Sequence, residues 1–135
     1  QEAKALGIAE MVLFCGNVNR PEDYLQAMDV FVMTSLFEGL PIVGVEAQAS
    51  GLPCIFADTI TQEVKILPQT QFLALTQPDE AWAERIVQTK PMERSLAGHC
   101  VESAGFAEEN LDRQVCALYG MEEHHFANIS GRDHL

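Results

Sequence analysis

The chain has 135 residues, 47% of them apolar and 21% charged, enough for one globular domain with a sizeable core. Twenty acids against eight bases give a net charge of −12, which argues against nucleic acid or anionic lipid as a direct partner. No apolar run approaches the length of a membrane span, and the cytoplasm is the expected compartment.

Residues 1–6 are an Ala-rich helix former that Gly7 ends. Residues 11–15, MVLFC, read as a short buried strand, turned at its carboxyl end by Gly16 and Asn17. The next helix, PEDYLQAM at 21–28, starts on Pro21 with Glu22 and Asp23 in its first turn, where the helix dipole favours acids. Tyr24, Leu25 and Met28 form its apolar face. Residues 30–33, VFVM, are continuously apolar and so read as a strand covered on both faces. Thr34 and Ser35 then turn the chain.

The most informative stretch is 37–56, FEGLPIVGVEAQASGLPCIF. It predicts an acidic loop carrying Glu38, a helix over 41–50 with Pro41 in its first position, Gly51 as a left-handed cap, and a strand over 53–57. With the strand before it this is one βαβ unit, right-handed as nearly all such crossovers are. Gly44 costs about 1 kcal/mol against Ala within that helix, which a close approach of backbone or ligand would explain. Ala47 and Ala49 are small enough to let the helix lie close on the sheet.

Ligands of parallel α/β sheets bind beyond the carboxyl ends of the strands. There the free N–H groups of 39–43 and the positive helix end suit a phosphate. Glu38 and Glu46 suit the hydroxyls of a sugar or ribose beside it. Taken alone, the two glutamates read first as a solvated loop acid and an ordinary helix-surface residue, and it is their flanking residues that favour the functional reading. No Lys or Arg stands between Pro21 and Lys65, so a pyrophosphate held here needs cations from elsewhere.

After the strand at 53–57, residues 61–65 predict a helical turn. Residues 72–75 are a last short strand, and Pro78, Asp79 and Glu80 open a helix with Ala81, Ile86 and Val87 as packing positions around Trp82. The C-terminal third is helical: 92–103, a break at Ala104 and Gly105, then 106–119 with Leu111, Val115 and Leu118 at helical spacing. Residues 128–135 read as a loose tail beyond a domain at 1–127. Cys15, Cys54, Cys100 and Cys116 have no paired metal or redox spacing; reduced thiols are expected, two of them inside strands. His124 and His125 are adjacent and read as an exposed polar pair.

The acidic loop with Gly39 and Pro41, Glu46 followed by Ala47, and then GLP at 51–53 resemble the donor-site signature of family 4 retaining glycosyltransferases. FCGN at 14–17 and DVFVMTSLFEGLP extend the resemblance upstream. GLPCIFADTITQEVK is similar to the subset that builds bacterial exopolysaccharide and capsule, and lacks the glycine-rich segment of the wider family. The resemblance spans roughly residues 11–119. It implies the GT-B fold, two Rossmann-like domains with the active site between them.

On that resemblance Glu38 is the catalytic-site acid and holds the hydroxyls of the transferred sugar. The backbone of Gly39, Leu40, Pro41 and Ile42 meets the sugar or phosphates, and Glu46 holds the ribose diol. The donor is a nucleotide sugar, a UDP-sugar first, with no metal or other cofactor. The acceptor is a sugar or lipid-linked glycan held by an N-terminal domain, and the full-length enzyme sits in the cytoplasm or at its membrane surface.

A C-terminal GT-B domain normally has six parallel strands ordered 3-2-1-4-5-6. About four are legible here, so the chain is expected to be a partial donor-binding domain, inactive alone. Its unpaired edges at 11–15 and 30–33 then pair directly or meet those of a second copy, of which self-association is the expected outcome. A UDP-sugar epimerase of the same fold and a non-catalytic α/β binding module are the alternatives.

Overall fold

The computed structural model describes residues 1–90 and 93–106. The elements run α1 (Glu2–Ala5), α2 (Pro21–Ala27), β1 (Phe31–Met33), α3 (Ile42–Ala49), β2 (Cys54–Ala57), β3 (Gln71–Leu73), α4 (Asp79–Gln88) and α5 (Ala97–Val101). Short 3₁₀ turns at Ala9–Met11, Gln62–Val64 and Arg94–Leu96 and a π-helical turn at Glu102–Phe106 complete them. The three strands form one parallel sheet in the order β1-β2-β3. Met33 lies beside Phe56, and Phe56 beside Phe72. The α/β class is as expected, and the turn expected at 61–65 is present.

β2 is central, and all four of its residues are buried. β1 and β3 are its edges and only half-buried. That corrects the reading of 30–33 as a strand covered on both faces. A larger correction concerns 11–15, which is no strand. After the turn at Ala9–Met11 the chain is extended at Val12 (φ −109°, ψ 116°), yet no ladder forms. Extended backbone becomes a strand only through a partner's N–H and C=O groups. Neither β1 nor any other described residue supplies them, and Leu13 and Phe14 are each 83% exposed. Direct closure of the two edges is therefore not what the chain does, and the sheet has three described strands instead of four.

Sheet alternation puts Phe31, Met33, Phe56 and Phe72 on one face. Their rings pack in series, Phe31 to Phe56 at 6.1 Å and Phe56 to Phe72 at 5.8 Å between centroids. α3 lies on this face. Its sequence, IVGVEAQA, has three β-branched residues at Ile42, Val43 and Val45 around a glycine, so intrinsic propensity contributes little. Burial of Gly44, Val45, Ala47 and Gln48 along one side holds it. Ala49, in contrast, faces solvent. A Cβ on Gly44 would stand 2.8 Å from Cζ of Phe56, so the close approach is to that buried ring.

The end of α3 is a Schellman motif. Leu52 N–H donates to the Ala47 carbonyl at 3.0 Å and Gly51 N–H to that of Gln48 at 2.9 Å. Gly51 adopts φ +75°, as the cap reading requires. Arg94 packs against this cap: a Cβ on Gly51 would meet its Cα at 2.8 Å. The Arg94 guanidinium donates to the carbonyls of Gln26 and Met28, both at 2.6 Å. It thus supplies a cation at the C-terminal end of α2, where orphan carbonyls and the helix dipole favour one. α5 packs on α3 beyond it.

α4 covers the opposite face, with Arg85 Nη1 donating to Gln71 Oε1 at 2.8 Å. Trp82 and Ala81 are partly buried there, whereas Val87 is 85% exposed. α2 likewise buries only Leu25, leaving Tyr24 and Met28 at the surface. It ends at Ala27, one residue early. Of the strand cysteines expected, Cys15 is exposed. Cys54 is buried, and desolvation pushes its thiol up to about 12, so it packs as a neutral small hydrophobe.

Gly105 breaks the C-terminal helical turns with φ 95°. The remainder of the helix expected over 106–119, the residue pair His124 and His125, Cys116 and the tail at 128–135 lie outside the described residues. So does Met92, the expected start of the preceding helix; the described turns there begin at Arg94. Among the described residues no helix is long and apolar enough to cross a membrane.

Candidate functional site

The parallel order brings the carboxyl end of β1 and the start of α3 to the same end of the sheet, joined by residues 34–40. Glu38 stands on this loop and is half-buried. Gly39 and Leu40 lead into Pro41, which is buried and serves as N-cap (φ −76°, ψ 105°) one residue before the helix proper. Proline cannot cap with its side chain, and Gly44 and Val45 N–H both turn to the Pro41 carbonyl. The amides of Gly39, Leu40, Ile42 and Val43 consequently have no protein acceptor among the described residues. They are the orphan donors of a helix start, with the positive end of the dipole behind them.

Glu46 lies one turn further along α3, on its exposed side and in register with Ile42. Four residues of helix rise separate these two, about 6 Å. The side chains of Glu38 and Glu46 make no hydrogen bond or ion pair with each other or with any described residue. The structure thus gathers Gly39 to Ile42 at one helix start and sets a free carboxylate on either side of it. No contact joins the two acids. Among the described residues no cation pairs with either acid. Arg20 pairs with Glu22 and Asp23 at 3.0 and 3.1 Å, and Arg94 is committed to α2. Among the described residues no group of three His, Cys, Asp or Glu is placed to hold a metal.

A cavity of about 510 Å³ opens elsewhere, between α4 and the sheet face bearing Val32. Thr34, Leu75, Gln77 and Trp82 help to line it, and none of residues 37–46 does. The exposed donors around Pro41 are a surface, and the chemistry there rests on hydrogen-bonding groups.

Two residues beside the site were not legible as anything but helix and loop. Gln48 is fully buried. Its Nε2 donates to the carbonyls of Gly44 (3.0 Å) and Val64 (2.7 Å). Its Oε1 accepts from Ile66 N–H (3.0 Å), Leu67 N–H (2.9 Å) and Thr70 Oγ1 (2.7 Å). One signal was present: Gln48 lies four residues after Gly44, on the side of the helix that must be buried. Thr59, at the end of the turn after β2, donates through Oγ1 to the Ser35 carbonyl at 2.7 Å.

Helix-start donors at the carboxyl end of a parallel sheet are a place where phosphate-bearing ligands commonly bind. The sequence profile described as "Glycosyl transferases group 1" matches residues 1–89, and the chain belongs to that family. It is 47% identical over 89 residues to the "Putative glycosyltransferase EpsF" of Bacillus subtilis (strain 168), covering 65% of this chain and 23% of that protein. It is 35% identical over 119 residues to the "Vi polysaccharide biosynthesis protein VipC/TviE" of Salmonella typhi, covering 82% and 20%. A "UDP-Gal:alpha-D-GlcNAc-diphosphoundecaprenol alpha-1,3-galactosyltransferase" of Escherichia coli is 42% identical over 53 residues, 39% of this chain and 14% of that protein. The chain therefore spans about a quarter or less of the length of these relatives. No solved structure matches it.

Proposed function

We propose that the chain is the donor-binding part of a glycosyltransferase that uses a nucleotide sugar, a UDP-sugar first, in bacterial surface polysaccharide synthesis. The observation that carries this is the run of acceptor-free amides at the start of α3, flanked by the unpaired acids Glu38 and Glu46. The names of the relatives support the polymer class, and the galactosyltransferase supports uridine diphosphate as carrier.

In this reading the amides of Gly39, Leu40 and Ile42 donate to the sugar or diphosphate oxygens, with the backbone of Pro41 beside them, Glu46 accepts from the ribose diol and Glu38 from the hydroxyls of the transferred sugar. Positioning and stabilisation of the leaving diphosphate do the chemical work. No metal is assigned. The site's fixed dipoles, with basic residues outside this segment, take the role a cation would have. The acceptor, a sugar or lipid-linked glycan, is held outside this chain, and the reaction is cytoplasmic.

The two acids then separate in their effects. Glu46→Ala is expected to weaken UDP binding by roughly 10- to 100-fold, the worth of hydrogen bonds to a charged acceptor. Glu38→Ala is expected to leave UDP affinity unchanged and to lower turnover or discrimination between sugars. Calorimetric titration with UDP, alongside donor turnover by the complete enzyme, reads both. Equal losses of UDP affinity in the two variants would contradict this division.

We also propose that this chain self-associates. Among the described residues the outer edge of β1 has no partner strand, and Met11, Leu13 and Phe14 are exposed. Unpaired edges and apolar surface favour contact between copies, against the opposing net charge. Light scattering after size exclusion is expected to give a dimer or larger at tens of micromolar. A monomer of constant mass over a wide concentration range counts against it.

A further inference from the structure

We propose that Thr59 is the positioning residue of the acidic loop, and through it of Glu38; this rests on the donor-site reading above. Residues 34–40 join β1 to α3. Among the described residues, the bond from Thr59 Oγ1 to the Ser35 carbonyl is the only hydrogen bond that reaches them. Apolar packing does not substitute for it, since Leu36 is 83% and Phe37 85% exposed. A loop so placed has little besides this bond to select one conformation from many.

Thr59 itself is firmly held. Asp58 N–H donates to the Leu73 carbonyl at 3.0 Å and Ile60 N–H to that of Ala57 at 3.1 Å, with Ile60 buried. The turn that carries Thr59 is thus an extension of the central strand. Its hydroxyl transmits that rigidity across the gap to the neighbouring loop, three residues before Glu38. The other end of the loop is fixed independently by the buried Pro41 and by α3. Loss of the Thr59 bond therefore releases the part bearing Glu38 and leaves the helix start and Glu46 in place.

The test uses Thr59→Val, which keeps the shape and removes the donor, and Thr59→Ser, which keeps the donor. Thr59 is exposed, so both variants are expected to fold with nearly unchanged melting. Calorimetry with UDP and with UDP-galactose as probes is expected to show equal UDP affinity in all three proteins. UDP-galactose affinity should fall about 2- to 10-fold in Thr59→Val, the net worth of one neutral hydrogen bond, and return in Thr59→Ser. Nitrogen-15 relaxation of the ligand-free proteins should show residues 35–39 loosened only in Thr59→Val. Unchanged loop relaxation in Thr59→Val, or an unchanged preference for UDP-galactose over UDP, would overturn the proposal. Failure of the wild type to bind either probe is a different result. It would remove the donor-site reading, and the positioning role with it, even with the loop tethered.

Discussion

Gln48→Leu is expected to abolish cooperative folding or to lower the melting temperature by more than about 10 °C. Leucine matches the volume of the amide and none of its bonding. Four partners outside its own helix are left behind: the Val64 carbonyl, the Ile66 and Leu67 amides and the Thr70 hydroxyl. Val64, Leu67 and Thr70 are buried, so water cannot replace the lost partner without the segment opening. Each buried group left unsatisfied costs about 1–3 kcal/mol. Three or four of them approach the whole stability of a domain this size, about 5–15 kcal/mol. Gln48→Glu distinguishes polarity from geometry. It still offers acceptors to the three donors, but it cannot donate to the Gly44 and Val64 carbonyls, and it brings a charge into a dry site. It is expected to be destabilised as well. Thermal unfolding followed by circular dichroism, with amide exchange at Ile66 and Leu67, measures both. A Gln48→Leu protein that melts within about 2 °C of the wild type would refute the hub.

What could be read from the sequence was local. Pro21 beginning a helix, Gly51 closing one and Gly105 breaking another each depend on a few consecutive residues, and each is found where expected. The acidic loop and the start of α3 were legible for the same reason. The Gln48 bonds reach 16 to 22 residues along the chain, the Thr59 bond 24 and the Arg94 bonds 66 to 68. No pattern within one segment encodes such pairings. Residues 11–15 show the reverse failure. Their apolar run is what a buried strand requires, but strand formation is decided by a neighbour, and composition cannot supply one. Val87 and Tyr24 were misplaced because helical spacing identifies a candidate face without saying how far the covering layer extends.

Gly44→Leu should be the most damaging single change on α3 after those at Gln48, although leucine is the better helix former by almost 1 kcal/mol. The first added atom already decides this. A Cβ would lie 2.8 and 2.9 Å from Cζ and Cε1 of Phe56 and 3.1 Å from Cγ2 of Val64. Phe56 is fully buried and flanked by the rings of Phe31 and Phe72, so the ring has no free direction in which to retreat. The helix must then lift from the sheet, pulling on the Gln48 bonds and tilting the segment that carries Glu46. Overpacking of this kind costs about 1–3 kcal/mol for small additions and more for a whole isobutyl group. Gly44→Ala is expected to lose about 1 kcal/mol net, overpacking outweighing the gain in propensity. The sharper test is a double-mutant cycle with Phe56→Leu, which removes the ring that the new Cβ meets. If the ring is the obstacle, Gly44→Ala should be far better tolerated on the Phe56→Leu background than in the wild type, with a coupling of about 1 kcal/mol. Strict additivity of the two substitutions would mean that Gly44 serves something other than this contact. A Gly44→Leu protein more stable than the wild type would mean that it serves none.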